Sequence, residues 1–168
     1  MKKSKGQMFG IDFTIAIFSF LFIMAFIQIH QNRMLDEIRE ERGIFLHDRL
    51  SYTLDNLLVS EGYPKGWNSS NVVSVGLVES SNVLKRTSLE EFSKLNETYA
   101  KRVLGVRATD FYFDVSYPNG TVAYLDGINI TMGTYPFGNA TAVFSSSRKA
   151  ILEGKQVNVN MYLWVKTQ

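Results

Sequence analysis

The sequence predicts an α+β fold. A long N-terminal α-helix, apolar in its first half and amphipathic in its second, packs on a C-terminal antiparallel β-sheet domain with one extra helix. Three observations predict it. No proline occurs before Pro64, so nothing breaks a helix across the first sixty residues. Residues 13–29 form a run of 17 with no charge. Beyond residue 110, apolar residues alternate in strand-length runs separated by turn residues.

The chain opens Met1-Lys2-Lys3-Ser4-Lys5-Gly6-Gln7, basic and without an acid. As a helix, residues 13–29 reach about 26 Å and residues 9–29 about 32 Å, against a bilayer core of about 30 Å. The run closes on Gln28-Ile29-His30-Gln31-Asn32-Arg33, with no small-residue cleavage site. It therefore predicts a retained membrane helix rather than a signal peptide lost after its apolar core. Lys2, Lys3 and Lys5 place the N-terminus inside and Gln31 onward outside. Asp12 stands near the start of the run. A carboxylate at a membrane centre costs roughly 2.5–3.5 kcal/mol, and less near an end, where it favours the helix dipole.

Residues 31–60 are amphipathic. Leu35, Ile38, Phe45, Leu46, Leu50, Leu54, Leu57 and Leu58 recur mostly three or four apart, with charges between them. The helix is expected to run from about Met8 to about Ser60, with Gly10 and Gly43 as soft points. Gly62, Pro64, Gly66 and Asn68-Ser69-Ser70 mark a turn region. Residues 72–78 read as a first strand. Thr87-Ser88-Leu89-Glu90-Glu91 has the capping-box pattern and opens the extra helix, which ends near Gly105. Residues 111–117 alternate, and Pro118-Asn119-Gly120 turns them into residues 121–125 as a hairpin. Residues 127–138 are loop-rich. Residues 141–152 and 156–165 form a second hairpin around Glu153-Gly154-Lys155, with Val157, Val159, Met161, Leu163 and Val165 on one face. The sheet needs a cover, and the amphipathic half of the long helix is the available one.

Composition narrows the chemistry. The 168 residues carry 18 basic against 16 acidic side chains, with 45% hydrophobic and 13% aromatic residues and no cysteine. Such a chain is not disordered, and disulfide scaffolds and Cys-ligated zinc are excluded. A net charge of +2 gives no reason to expect nucleic acid as a partner. No catalytic residues, cofactor or metal site are expected. His30 and His47 stand seventeen apart, and no phosphate-binding or nucleophile-elbow motif occurs. Asp110, Asp114 and Asp126 match no calcium loop. Tyr112 and Trp164 suit packing better than a glycan site. Five N-x-S/T sequons, at Asn68, Asn96, Asn119, Asn129 and Asn139, all lie beyond residue 60. They are candidate N-glycosylation sites and point to the glycosylated face of a membrane.

Lys5-Gly6-Gln7, then Asp12 and a long apolar helix, resembles the class III signal peptide of euryarchaeal type IV pilin-like proteins. Gly62-Tyr63-Pro64-Lys65-Gly66-Trp67 followed by Val72-Val73-Ser74-Val75-Gly76-Leu77 resembles a stretch recurrent in archaeal pilin-like proteins, and residues 147–152 and 159–165 resemble their closing hairpin. The resemblance implies a type IV pilin-like fold with residues 1–6 as a cleaved leader, 7–30 as the transmembrane and filament-core helix, 31–60 as its amphipathic continuation and 61–168 as an extracellular head. It implies cleavage by a prepilin peptidase between Gly6 and Gln7. Asp12 would then pair with the new Gln7 amine of a neighbouring subunit and set the axial register. Counting Gln7 as first, Asp12 is sixth, where the family's acid usually stands fifth.

The implied protein is a structural subunit, not an enzyme. Its partners are further copies or related pilins in a helical filament, the assembly machinery, and the cytoplasmic membrane before assembly. It would end at the cell surface, with a possible role in adhesion. A cell-surface binding protein on an uncleaved signal anchor, or a pseudopilin of a secretion or uptake machine, would share these features.

Overall fold

The computed structural model describes residues 5–136 and 140–166, with side chains described for residues 11–38, 40–136 and 140–165. The fold is α+β, with a long N-terminal helix, α1 (Lys5–Val59), and a mixed six-stranded sheet. Two compact units are present, Met1–Ile44 and Phe45–Gln168, and the division between them lies inside α1.

The described residues of the first unit are all helix. Every side chain described from residue 11 to residue 38 is exposed, among them Phe13, Phe18, Phe22 and Phe26. Backbone hydrogen bonds satisfy the helix internally, so its side chains are free to face an apolar solvent.

The second unit begins with the last turns of α1. Leu50, Leu54, Leu57 and Leu58 are fully or almost fully buried there, with Leu46 at the edge. Leu35, Ile38 and Phe45, expected on the same buried stripe, are exposed. The cover over the sheet therefore starts at Leu46.

The strands are β1 (Val78–Ser80), β2 (Val83–Leu84), β3 (Asp110–Ser116), β4 (Tyr124–Leu125), β5 (Ile128–Asn129), β6 (Thr131–Gly133), β7 (Ala140–Leu152) and β8 (Lys155–Lys166). The large sheet runs β1-β2-β7-β8-β3-β6, and β4 and β5 pair separately. The β7–β8 hairpin turns at Glu153-Gly154, both with positive φ, and pairs Leu152 with Lys155 through to Ala140 with Lys166. It forms where the alternation predicts it. Val157, Val159, Met161 and Leu163 of β8 and Phe111, Phe113 and Val115 of β3 are buried and join the leucines of α1 in one core. Phe92 meets Phe113 edge-on, with ring centroids 5.1 Å apart.

Other expectations also need correction. Residues 127–138, read as loop-rich, hold β5 and β6. The sheet is mixed, because β2 runs parallel to β7 through Val83 and Ile151. The predicted strand over 72–78 does not form. Only Val78 enters a strand, and Leu77 donates its N–H to the Leu57 carbonyl of α1 at 2.9 Å. Val72, Val75 and Leu77 are buried in the core without pairing as a strand, and Val73 is exposed. The single extra helix is two, α2 (Arg86–Ser93) and α3 (Glu97–Val103). Asn96 accepts from the Thr98 N–H and so starts a new helix in place of continuing the old one. The capping box is unused, since α2 begins at Arg86 with Lys85 as an N-cap that makes no side-chain bond. The Pro118-Asn119-Gly120 turn closes, with Gly120 N–H on the Tyr117 carbonyl at 2.9 Å, but Ser116 and Val122 make only an isolated bridge. Tyr124–Leu125 then pairs with Ile128–Asn129 instead of extending that hairpin.

Candidate functional site

Four features are candidates for function: the exposed helix, a clasp at the C-terminal end of α1, the sequons, and the outer face of the sheet.

Within α1, the most apolar 18-residue window is entirely unburied, and among the described residues this is one helix long and apolar enough to cross a membrane. Asp12 is an exposed residue of that helix. Gly6 and Gln7 lie in its first turn, and their side chains are outside the described residues. His30 is exposed and stacks on Phe26, with ring centroids 6.3 Å apart and 2° between the planes. His47 is also exposed, 3.8 Å from Asp48.

The Gly62…Trp67…Gly76 stretch forms the clasp. Trp67 is buried, and its indole N–H donates to the carbonyls of Glu61 and Gly76, each at 3.1 Å. Gly62 has φ +82°, and a Cβ there would strike the Trp67 indole. A Cβ on Gly76 would collide with the Ser60 carbonyl and the Gly62 amide. Tyr63 and Ser74 exchange backbone bonds at 2.8 and 3.1 Å. The two glycines are needed because the chain crosses itself just after α1 with no room for a side chain. This clasp unites the residues that the sequence places in one motif.

Four sequon asparagines, Asn68, Asn96, Asn119 and Asn129, are exposed. Asn139 lies outside the described residues. In three of them the side-chain carbonyl accepts from the backbone N–H of the sequon's own Ser or Thr. Ser70 donates to Asn68 at 2.9 Å, Thr98 to Asn96 at 2.9 Å and Thr121 to Asn119 at 3.0 Å. These turns use only Oδ1, so the Nδ2 that a glycan would occupy is not needed to hold them. Glycosylation and local structure are therefore compatible at all three.

On the outer face of the sheet, β3 places Tyr112, Asp114 and Ser116 opposite Tyr162, Asn160 and Asn158 of β8. Tyr112, Tyr135 and Tyr162 cluster with ring centroids 5.0–6.0 Å apart. Asp114 is buried, and Asn160 donates from Nδ2 to its carboxylate at 2.8 Å and to the Ser116 hydroxyl at 2.9 Å. Burial pushes the Asp114 carboxyl above the usual carboxylate range, with the Asn160 and Ser116 hydrogen bonds opposing. Burial, then the Asp114 charge, raises the Tyr112 and Tyr162 phenols. The outward parity of Tyr112 and Tyr162 is readable from alternation; the approach of Tyr135 is not.

The three aspartates considered for calcium are dispersed. Asp110 pairs with Lys101 at 2.5 Å, Asp126 with Arg86, and Asp114 with Asn160. Among the described residues no three His, Cys, Asp or Glu side chains converge as a metal site would need. Trp164 is buried. Arg86 also bonds Glu90 and Glu153, so one guanidinium ties α2 to the Asp126 loop and to the β7–β8 turn. Its pKa is raised by the hydrogen bonds to Asp126, Glu90 and Glu153, in that order.

The chain matches no protein-family model, no curated protein and no solved structure.

Proposed function

We propose that the chain is a structural subunit of an extracellular type IV pilus-like filament. A prepilin peptidase removes residues 1–6 by cutting between Gly6 and Gln7. The apolar part of α1 anchors the precursor in the membrane with its N-terminus inside, then leaves the bilayer to form the filament core. The observation that carries this reading is an apolar helical stretch with none of its side chains covered, running without a break into the leucines that close a head of its own. Such a stretch requires an apolar environment, and lipid and neighbouring helices supply it in turn.

Asp12 has a role in this scheme. Cleavage creates an α-amine at Gln7, whose reference pKa is about 7.7–8.0. Buried among apolar helices it needs a counter-charge. Asp12 of the adjoining subunit supplies one and fixes a register that apolar contacts alone would leave free to slide. The head faces outward, carries glycans on the sequons and presents the surface used in any adhesion.

Mass spectrometry of the chain recovered from cells tests the reading. The expected mature chain starts at Gln7. Substituting Gly6 with a bulky residue should block cleavage and filament formation, and Asp12→Ala should permit cleavage but not assembly. An intact leader on surface-exposed protein would establish a permanent signal anchor instead.

A further inference from the structure

Beside the last turns of α1 lies an open cleft of about 470 Å³. Its floor is apolar: Leu46 and Leu163 are at most 9% exposed and Val106 is buried, while Phe45 stands exposed at the edge. Its rim is cationic. Arg49, Arg102 and Arg107 all line it. Arg49 is held in place by donating from Nη2 to the Gly105 carbonyl at 2.6 Å. A Cβ on Gly105 would meet that guanidinium. Arg102 and Arg107 are exposed, and no ion pair engages either among the described residues. A cleft with an apolar floor and arginines at its mouth suits a helix that offers apolar side chains flanked by carboxylates.

The chain itself carries such a helix. Residues 36–41 read Asp36-Glu37-Ile38-Arg39-Glu40-Glu41, four acids to one base. Met34, Glu37, Ile38 and Glu41 are spaced three and four apart and share one helical face. Met34 and Ile38 are each 54% exposed, and Glu37 and Glu41 are exposed beside them. Apolar side chains left uncovered between carboxylates, in a segment expected beyond the membrane, call for a cover of opposite charge.

We infer that the arginine-rimmed cleft of one subunit receives the Met34–Glu41 face of α1 from a second copy of this chain, with Arg102 and Arg107 pairing Glu37 and Glu41. Cleft and segment are different surfaces, so the contact is head-to-tail and propagates from copy to copy. This rests on the filament reading and adds the contact that joins successive heads to helices.

The absence of cysteine allows a direct test on the full chain in its host. Ala108 lines the cleft and is exposed, so Ala108→Cys with Ile38→Cys places one thiol on each surface. Oxidation should give a ladder extending past the dimer, and neither single cysteine should give one. Reversal by Arg102→Glu with Arg107→Glu should abolish the ladder and the filaments, and so should Glu37→Arg with Glu41→Arg. The four reversals together should restore both. A ladder indifferent to these charges, a product stopping at the dimer, or no rescue in the quadruple variant overturns the contact. So does a ladder that follows the anionic phospholipid content of the membrane, because the arginines then serve lipid. The leader is read separately by mass. A cleaved, filament-forming chain with a charge-indifferent ladder defeats this contact alone. A charge-dependent ladder on an uncleaved chain defeats the pilin reading alone.

Discussion

The indole N–H of Trp67 reaches the carbonyl of Gly76 at 3.1 Å and, with its bond to Glu61, ties both sides of the chain crossing that follows α1. Trp67→Phe keeps a ring but leaves both carbonyls without this donor. A loss of about 1–3 kcal/mol is expected, read as a lower midpoint in thermal denaturation of the full chain in detergent. Gly76→Ala should cost more than about 2 kcal/mol, because its Cβ meets backbone rather than a side chain that can move. A Gly76→Ala chain as stable as wild type would show that the crossing is loose.

The pH dependence follows from two carboxylates with opposite signs. The Lys94 ammonium, then the Ser69 backbone N–H, holds Glu91 at about 2 against an ordinary 4.5. Its contribution is present above 4.5 and is lost as pH falls toward 2. Glu91→Gln should therefore cost about 1 kcal/mol at neutral pH, with the difference from wild type gone only below pH 2.

Asp114 acts the other way. Its raised pKa means that the folded state holds the proton over a range where the unfolded chain has released it. Stability falls as pH rises through that range. Asp114→Asn retains an acceptor for Asn160 and should stabilise the protein at neutral pH. The gain should vanish below the usual carboxylate range, where Asp114 is protonated in both states. A variant that is less stable at neutral pH would mean that the charge itself is needed.

Leucines of α1 should divide sharply by position. Leu54→Ala empties a fully buried site and should cost about 2–5 kcal/mol of head stability. Leu35→Ala, at an exposed site, should change head stability by less than about 0.5 kcal/mol.

The sequons allow glycan and structure to be separated. On a chain glycosylated at Asn96, as proposed, Asn96→Asp keeps the cap on α3 and removes the acceptor, so it should lose one glycan mass with little change in stability. Asn96→Ala loses both and should cost about 1 kcal/mol. Thr98→Ala should lose the mass alone, since the donor to Asn96 is the backbone N–H.

What the sequence made legible was periodic and local. α1 and the β7–β8 hairpin follow from an uninterrupted apolar and amphipathic run and from strict alternation about Glu153-Gly154. The turn after Tyr117 and the glycine after α3 were equally readable. Misreadings arose where distant contacts decide. Val72, Val75 and Leu77 are apolar because they pack in the core, not because they pair as a strand. The parallel step between Val83 and Ile151 joins residues too far apart for any local pattern to reveal. Of the candidate site, the exposed helix and the clasp were visible as motifs. The Arg49–Gly105 bond and the grouping of Tyr112, Tyr135 and Tyr162 needed the fold.

The strand order gives the head a schedule. β8 lies between β7 and β3, so the middle of the sheet is supplied by residues 155–166. Until they emerge from the ribosome, β3 lacks its longest partner and β7 has only the short contact with β2. Translation delivers the apolar helix first and the sheet's centre late. A nascent chain therefore stays open along its middle strand, and the head closes only once residues 155–166 have been made.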